Sequence, residues 1–78
     1  MANISLKELK AGQKGKVIKI SGDGSVHRRI LDMGIVKGVE IEMERVAPLG
    51  DPVEVKIKGY HLSLRKNEAA NIYVEIQG

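Results

Sequence analysis

Val39-Glu40-Ile41-Glu42-Met43-Glu44 and Val53-Glu54-Val55-Lys56-Ile57-Lys58 decide the fold of this chain. In both stretches every second residue is apolar and the residues between are charged. Successive side chains of an extended chain point to opposite faces, so a period of two gives a strand with one buried face and one wet face. A helix would scatter the same residues around its circumference. Between the two lies Pro48-Leu49-Gly50-Asp51-Pro52, whose glycine and prolines read as a turn, so the pair reads as a hairpin. The outer row is acidic on the first strand and partly basic on the second, which favours their pairing.

Working outward, residues 16–20 (Lys-Val-Ile-Lys-Ile) form a further β-rich segment. Gly59 begins a tight turn, after which Tyr60, Leu62 and Leu64 make an inward row, with His61, Ser63 and Arg65 outward. The last strand turns Ile72, Val74 and Ile76 inward and Tyr73 and Glu75 outward. About five short, closely spaced strands are the signature of a small barrel or sandwich. Barrel closure would remove exposed edges. The expected core centres on Ile41, Val55, Leu62 and Val74.

Short helical insertions punctuate the strands. Residues 3–9 read as a helical turn capped by Ser5, with Glu8 reaching back and Ile4 and Leu9 stapling it. After the break Ser21-Gly22-Asp23-Gly24 comes a helix over residues 25–33, with Ser25 as its cap. Val26, Ile30 and Met33 form one apolar stripe. Gly34 stands where a left-handed terminating residue belongs. Residues 67–70 read as one more helical turn. The fold class expected is all-β, a small barrel of about five strands with short helical insertions.

The chain has 78 residues, room for one domain over 1–78. It contains no Cys, which excludes disulfides, thiolate zinc sites, iron–sulfur clusters and thiol catalysis. With no Trp or Phe, the core must come from Ile, Val, Leu and Met. The net charge of +3 is mixed in sign along the chain, unlike the concentrated basic face of a polyanion binder. No apolar run approaches the roughly 20 residues that span a bilayer. Residues 1–10 lack the apolar stretch of a signal peptide, so the expected location is the cytoplasm.

The residues offer no catalytic constellation. Ser5, Ser21, Ser25 and Ser63 stand in no nucleophile context. Gly22 and Gly24 make a G-x-G without the lysine and hydroxyl of a phosphate loop, and read as a turn. Candidate metal ligands are His27, His61, Asp23, Asp32, Met33 and Met43, but the two histidines lie far apart without ligand spacing. They read as solvated groups on a helix and a strand; a weak Fe(II) site shared with another protein is the metal reading left open. His27-Arg28-Arg29, with Lys37 nearby, is the one basic cluster beyond scattered lysines. It is either a solvated helix face or a surface that steers toward an acidic partner. Leu31 sits off the apolar stripe, and Leu49 sits at a loop tip. Each is either a lid on the barrel end or a partner contact.

Leu31-Asp32-Met33-Gly34-Ile35, then Lys37-Gly38, Pro48-Leu49-Gly50-Asp51-Pro52, Gly59-Tyr60 and Leu62-Ser63-Leu64-Arg65 together resemble the FeoA family. Each piece alone is weak, and the ordered set, running from about Leu6 to Ile76, is specific. The resemblance implies an SH3-like barrel with a helical insertion between its first two long strands. It also implies a non-enzymatic accessory of FeoB, the GTP-hydrolysing membrane transporter of Fe(II). A similar module forms the C-terminal domain of iron-dependent repressors, and a freestanding relative of that domain is one alternative. With no DNA-binding segment ahead of the module in this sequence, the transport accessory is the expected reading. The other alternative is a nucleic-acid-binding barrel. Single-strand binders stack bases on exposed aromatics, and only Tyr73 is placed outward here. The docking face expected is the 25–34 insertion with the 48–52 loop, carried by Arg28, Arg29, Leu31 and Leu49. No resident cofactor is expected.

Overall fold

The structure, a computed structural model, describes residues 3–77. Its elements in chain order are β1 (Asn3–Ser5), a 3-10 turn (Leu6–Glu8), β2 (Lys14–Ile20), α1 (Gly24–Asp32), β3 (Glu40–Val46), β4 (Val53–Ile57), β5 (Tyr60–Leu64), α2 (Lys66–Ala70) and β6 (Ile72–Gln77). The strands form one antiparallel sheet in the order β1-β6-β2-β3-β4-β5. This is the SH3-like architecture expected, with α1 inserted between the long strands β2 and β3.

The β3–β4 hairpin forms as the alternation requires. Ile41, Met43, Val53, Val55 and Ile57 are buried, and Glu42 lies opposite Lys56 and Arg45 opposite Glu54 on the wet face. Register shifts between Met43 and Arg45, and between Val17 and Lys19, mark bulges that increase the local twist and roll the sheet on itself. The buried cluster also takes in Leu6, Leu9, Val17, Ile30, Ile35, Leu64, Ile72 and Val74.

The structure departs from the sequence reading in several places. The described residues form six strands, because Asn3–Ser5 pairs with β6 instead of opening a helix. Three residues are too few for an alternation to show. Ser5 does cap the 3-10 turn, accepting from the Lys7 N–H at 3.3 Å, but its hydroxyl also donates to the Ala69 carbonyl, also at 3.3 Å, and Glu8 is exposed. Among the described residues the barrel does not close by hydrogen bonds: β1 and β5 are both edge strands, and α2 lies beside the turn that follows β1. On the edge strand β5, Leu62 is only half-buried and Tyr60 is exposed, so the inward row holds fully at Leu64 alone. Tyr60 carries a hydroxyl that seeks a partner, and it reaches over the rim to the Met33 carbonyl at 3.0 Å.

Candidate functional site

Helix α1 begins two residues earlier than a Ser25 cap would allow, because Asp23 is its cap. The Asp23 carboxylate accepts from the Val26 N–H at 3.1 Å and from the Ser25 hydroxyl at 3.0 Å. These bonds, the Val26 one foremost, hold its carboxyl below the usual carboxylate range. The Val26–Ile30–Met33 stripe faces inward, with Ile30 fully buried and the other two packed half-buried against the core. Gly34 ends the helix at φ +88°, and a Cβ there would stand 2.5 Å from the Tyr60 hydroxyl. Positive φ and this close approach both demand glycine.

The opposite face of α1 presents Arg28 and Leu31, the latter 41% exposed. Among the described residues Arg28 has no ion pair. Arg29 differs: its Nε lies 2.6 Å from Oε2 of Glu68, a residue only 4% exposed. The other oxygen of Glu68 accepts from the Arg65 backbone N–H at 2.9 Å, at the start of α2. One buried carboxylate therefore ties α1 to the first turn of α2, and Arg29 is a fastening as much as a surface cation.

The 48–52 loop is braced by the Gly50 N–H on the Ala47 carbonyl, at 2.7 Å, and the Ala47 N–H on the Pro52 carbonyl, at 3.1 Å. Leu49 does not fold back as a lid: it is 92% exposed. Asp51 accepts from the Lys66 N–H at 2.9 Å, the first residue of α2. The loop and α1 are thus both pinned to α2, through Asp51 and through Glu68. Both pins escaped the sequence reading. Glu68 does sit three residues after Arg65, the spacing at which a glutamate caps a helix, and that spacing was the available signal.

His27 lies half-buried on α1 and His61 is exposed on β5, its Nδ1 2.6 Å from Glu44 Oε1. Met43 is fully buried and Met33 half-buried. Among the described residues, no three His, Asp or Glu side chains converge on a point that could hold a metal. Tyr73 is half-buried on the outer sheet, lining a concavity with Asn3, Ile18 and Lys19. Among the described residues no helix is long and apolar enough to cross a membrane.

The FeoA domain family matches residues 4–76. The chain is 42% identical over 71 residues to a Fe(2+) transport protein A/Fe(2+) transporter FeoB fusion protein of Porphyromonas gingivalis. That match takes in 91% of this chain and only 8% of the much longer fusion protein. Among solved structures, the FeoA-like protein of Clostridium acetobutylicum superposes with a TM-score of 0.91 at 47% identity, covering 100% of this chain and 91% of that one. Stenotrophomonas maltophilia FeoA complexed with zinc, described as a prokaryotic SH3 domain protein, superposes with a TM-score of 0.79 at 28% identity, covering 92% and 89%. With a family match over nearly its whole length, and with the helical insertion between long strands that its sequence motifs imply, this chain belongs to the FeoA domain family.

Proposed function

We propose that this chain is a non-enzymatic accessory of ferrous-iron uptake that works in the cytoplasm, docking on a FeoB-type GTP-dependent Fe(II) transporter and regulating or assembling it. The observation that carries this reading is the Porphyromonas gingivalis fusion, in which a segment 42% identical to this chain is joined to a FeoB transporter. Joining two modules in one chain raises the effective concentration of one at the other, which serves modules that bind each other.

The docking face is the exposed side of the 25–34 insertion together with the 48–52 loop. Arg28 and Leu31 provide a cation beside an apolar group, a composition typical of binding hot spots. Leu49 adds an apolar side chain on a loop stiffened by Pro48 and Pro52, which lowers the entropy lost on binding. Arg29 acts through Glu68, keeping α1 in place. Any iron contact of this chain is weak and completed by the partner.

The test is capture from native membranes with tagged protein. Recovery of a GTPase-bearing iron transporter is the expected result. Reproducible capture without that transporter, from membranes in which it is abundant, would refute the reading.

A further inference from the structure

Strand β5 has an open edge. Among the described residues it pairs only with β4, in the register Ile57↔Tyr60, Lys56↔His61, Val55↔Leu62, Glu54↔Ser63 and Val53↔Leu64. The two strands are joined by Lys58 and Gly59, at φ +47° and +85°, a two-residue turn with both φ positive. Such a turn makes the flanking pair, Ile57 and Tyr60, a hydrogen-bonded pair, and bonded and non-bonded pairs then alternate. Leu62 and Leu64 therefore spend their backbone groups on β4, while those of His61 and Ser63 point away from the sheet. Among the described residues no strand pairs with that edge, no turn or loop hydrogen bond reaches the backbone of either, and both are exposed.

Natural edges are blunted by lysine, proline, bulges or very short strands. The opposite edge, β1, is only three residues long. Strand β5 has five residues, no register shift against β4, and no Lys or Pro within it. It also joins the two parts of the docking face: Tyr60 at its start holds the end of α1, and Lys66, just beyond its end, is held by Asp51 of the 48–52 loop.

We propose that β5 receives an extended acidic segment of the partner transporter as an added strand. This inference rests on the docking reading above and names how the contact is made. Charge selects the occupant. Lys58 flanks β5 at one end, and Arg65 and Lys66 flank it at the other, all exposed. A second copy paired antiparallel about Leu62 would set Lys58 against Arg65 and Lys66 at both ends, like charge against like. A segment with Asp or Glu at its two ends meets those cations instead. Its alternate residues are apolar, because the strand beside β5 must cover the half-exposed side of Leu62.

The test is amide hydrogen exchange of the 15N-labelled chain, alone and bound to the detergent-solubilised FeoB-type transporter of its own cell, read by NMR after quench and release. In the free chain the His61 and Ser63 amides exchange fast and Leu62 exchanges slowly. On binding, His61 and Ser63 slow by about tenfold or more, as amides entering a ladder do. Ser63→Pro removes one outward donor without touching the β4 ladder, a substitution that edge strands tolerate. It should leave the fold intact and weaken binding about tenfold, the scale of one hydrogen bond to a buried partner. Capture with unchanged exchange at both amides overturns strand addition alone, whatever Ser63→Pro does to stability. Failure of the wild-type chain to bind refutes the docking reading and this inference with it. Slowing of both amides as the free chain is concentrated means that a second copy occupies the edge, and also overturns the proposal.

Discussion

Arg28 and Arg29 are adjacent and chemically identical, yet the structure separates their energetics. Arg29 faces Glu68, whose carboxylate is nearly buried and also accepts the Arg65 N–H; Arg28 faces solvent. Glu68→Ala removes a helix cap, typically about 1 kcal/mol, and a charge-assisted bond of about 1.5 kcal/mol or more. The Arg29 side chain is 59% exposed, so screening keeps the ion pair at the lower end. The sum is about 2–3 kcal/mol. Arg29→Ala leaves the carboxylate with one partner and costs about 1–2 kcal/mol, whereas Arg28→Ala stays within about 0.5 kcal/mol. In a domain of this size 1 kcal/mol moves the Tm by about 4–8 °C. Thermal unfolding followed by far-UV circular dichroism should therefore show a large drop for Glu68→Ala, a smaller one for Arg29→Ala and almost none for Arg28→Ala. The double variant Arg29→Ala/Glu68→Ala should lose less than the sum of the two. Equal losses for Arg28→Ala and Arg29→Ala, or strict additivity of Arg29 with Glu68, would refute the assignment.

Val55→Ala should cost about 2–3 kcal/mol, and Leu62→Ala, on the half-buried edge, about 1–2 kcal/mol; urea unfolding that ranks them the other way means that β5 is set deeper. Gly34→Ala should destabilise by about 1–2 kcal/mol through positive φ alone, with a further loss from displacing the Tyr60 hydroxyl. Tyr60→Phe should recover that further loss, and failure to do so in the double variant removes the clash from the explanation. Because the folded protein holds the Asp23 carboxyl below its ordinary value, the cap stabilises α1 fully above the usual carboxylate pKa. That contribution fades as pH falls through the lowered value; Asp23→Asn should flatten the acid-side loss of α1 amide protection, and an unchanged acid profile would show that the cap contributes nothing there.

What the sequence made legible is what periodicity and turn chemistry carry. The β3–β4 hairpin rests on strict alternation, and Gly34 on the need for a left-handed residue after a helix. Leu49 was exposed, as its place between two prolines at a loop tip left open. Most of the missed features depend on contacts distant in sequence; the Asp23 cap is the local exception. Asp23 outcompeted Ser25 as a cap because its carboxylate accepts both the Val26 N–H and the Ser25 hydroxyl. Tyr60 left the inward row because its hydroxyl finds the Met33 carbonyl, 27 residues away. Glu68 is buried where Arg29, from another element, and the Arg65 N–H both reach its carboxylate. His61 meets Glu44 across the β3–β4–β5 face, a diagonal set by the bulge after Met43. Of the four residues expected to contact a partner, Arg28, Leu31 and Leu49 have free surface, while Arg29 is partly committed inside the fold.

The central claim is that this chain acts by docking on a FeoB-type transporter through α1 and the 48–52 loop. Its most direct test is the affinity of the purified transporter for the wild-type chain and for Leu49→Asp and Arg28→Glu, each first shown to keep the folded NMR spectrum. The account predicts tight binding of the wild-type chain and a loss of about tenfold or more for each variant, as expected of hot-spot residues. Full binding by both folded variants would contradict it and move the docking face elsewhere, first to the outer strand surface around Lys56 and Lys58.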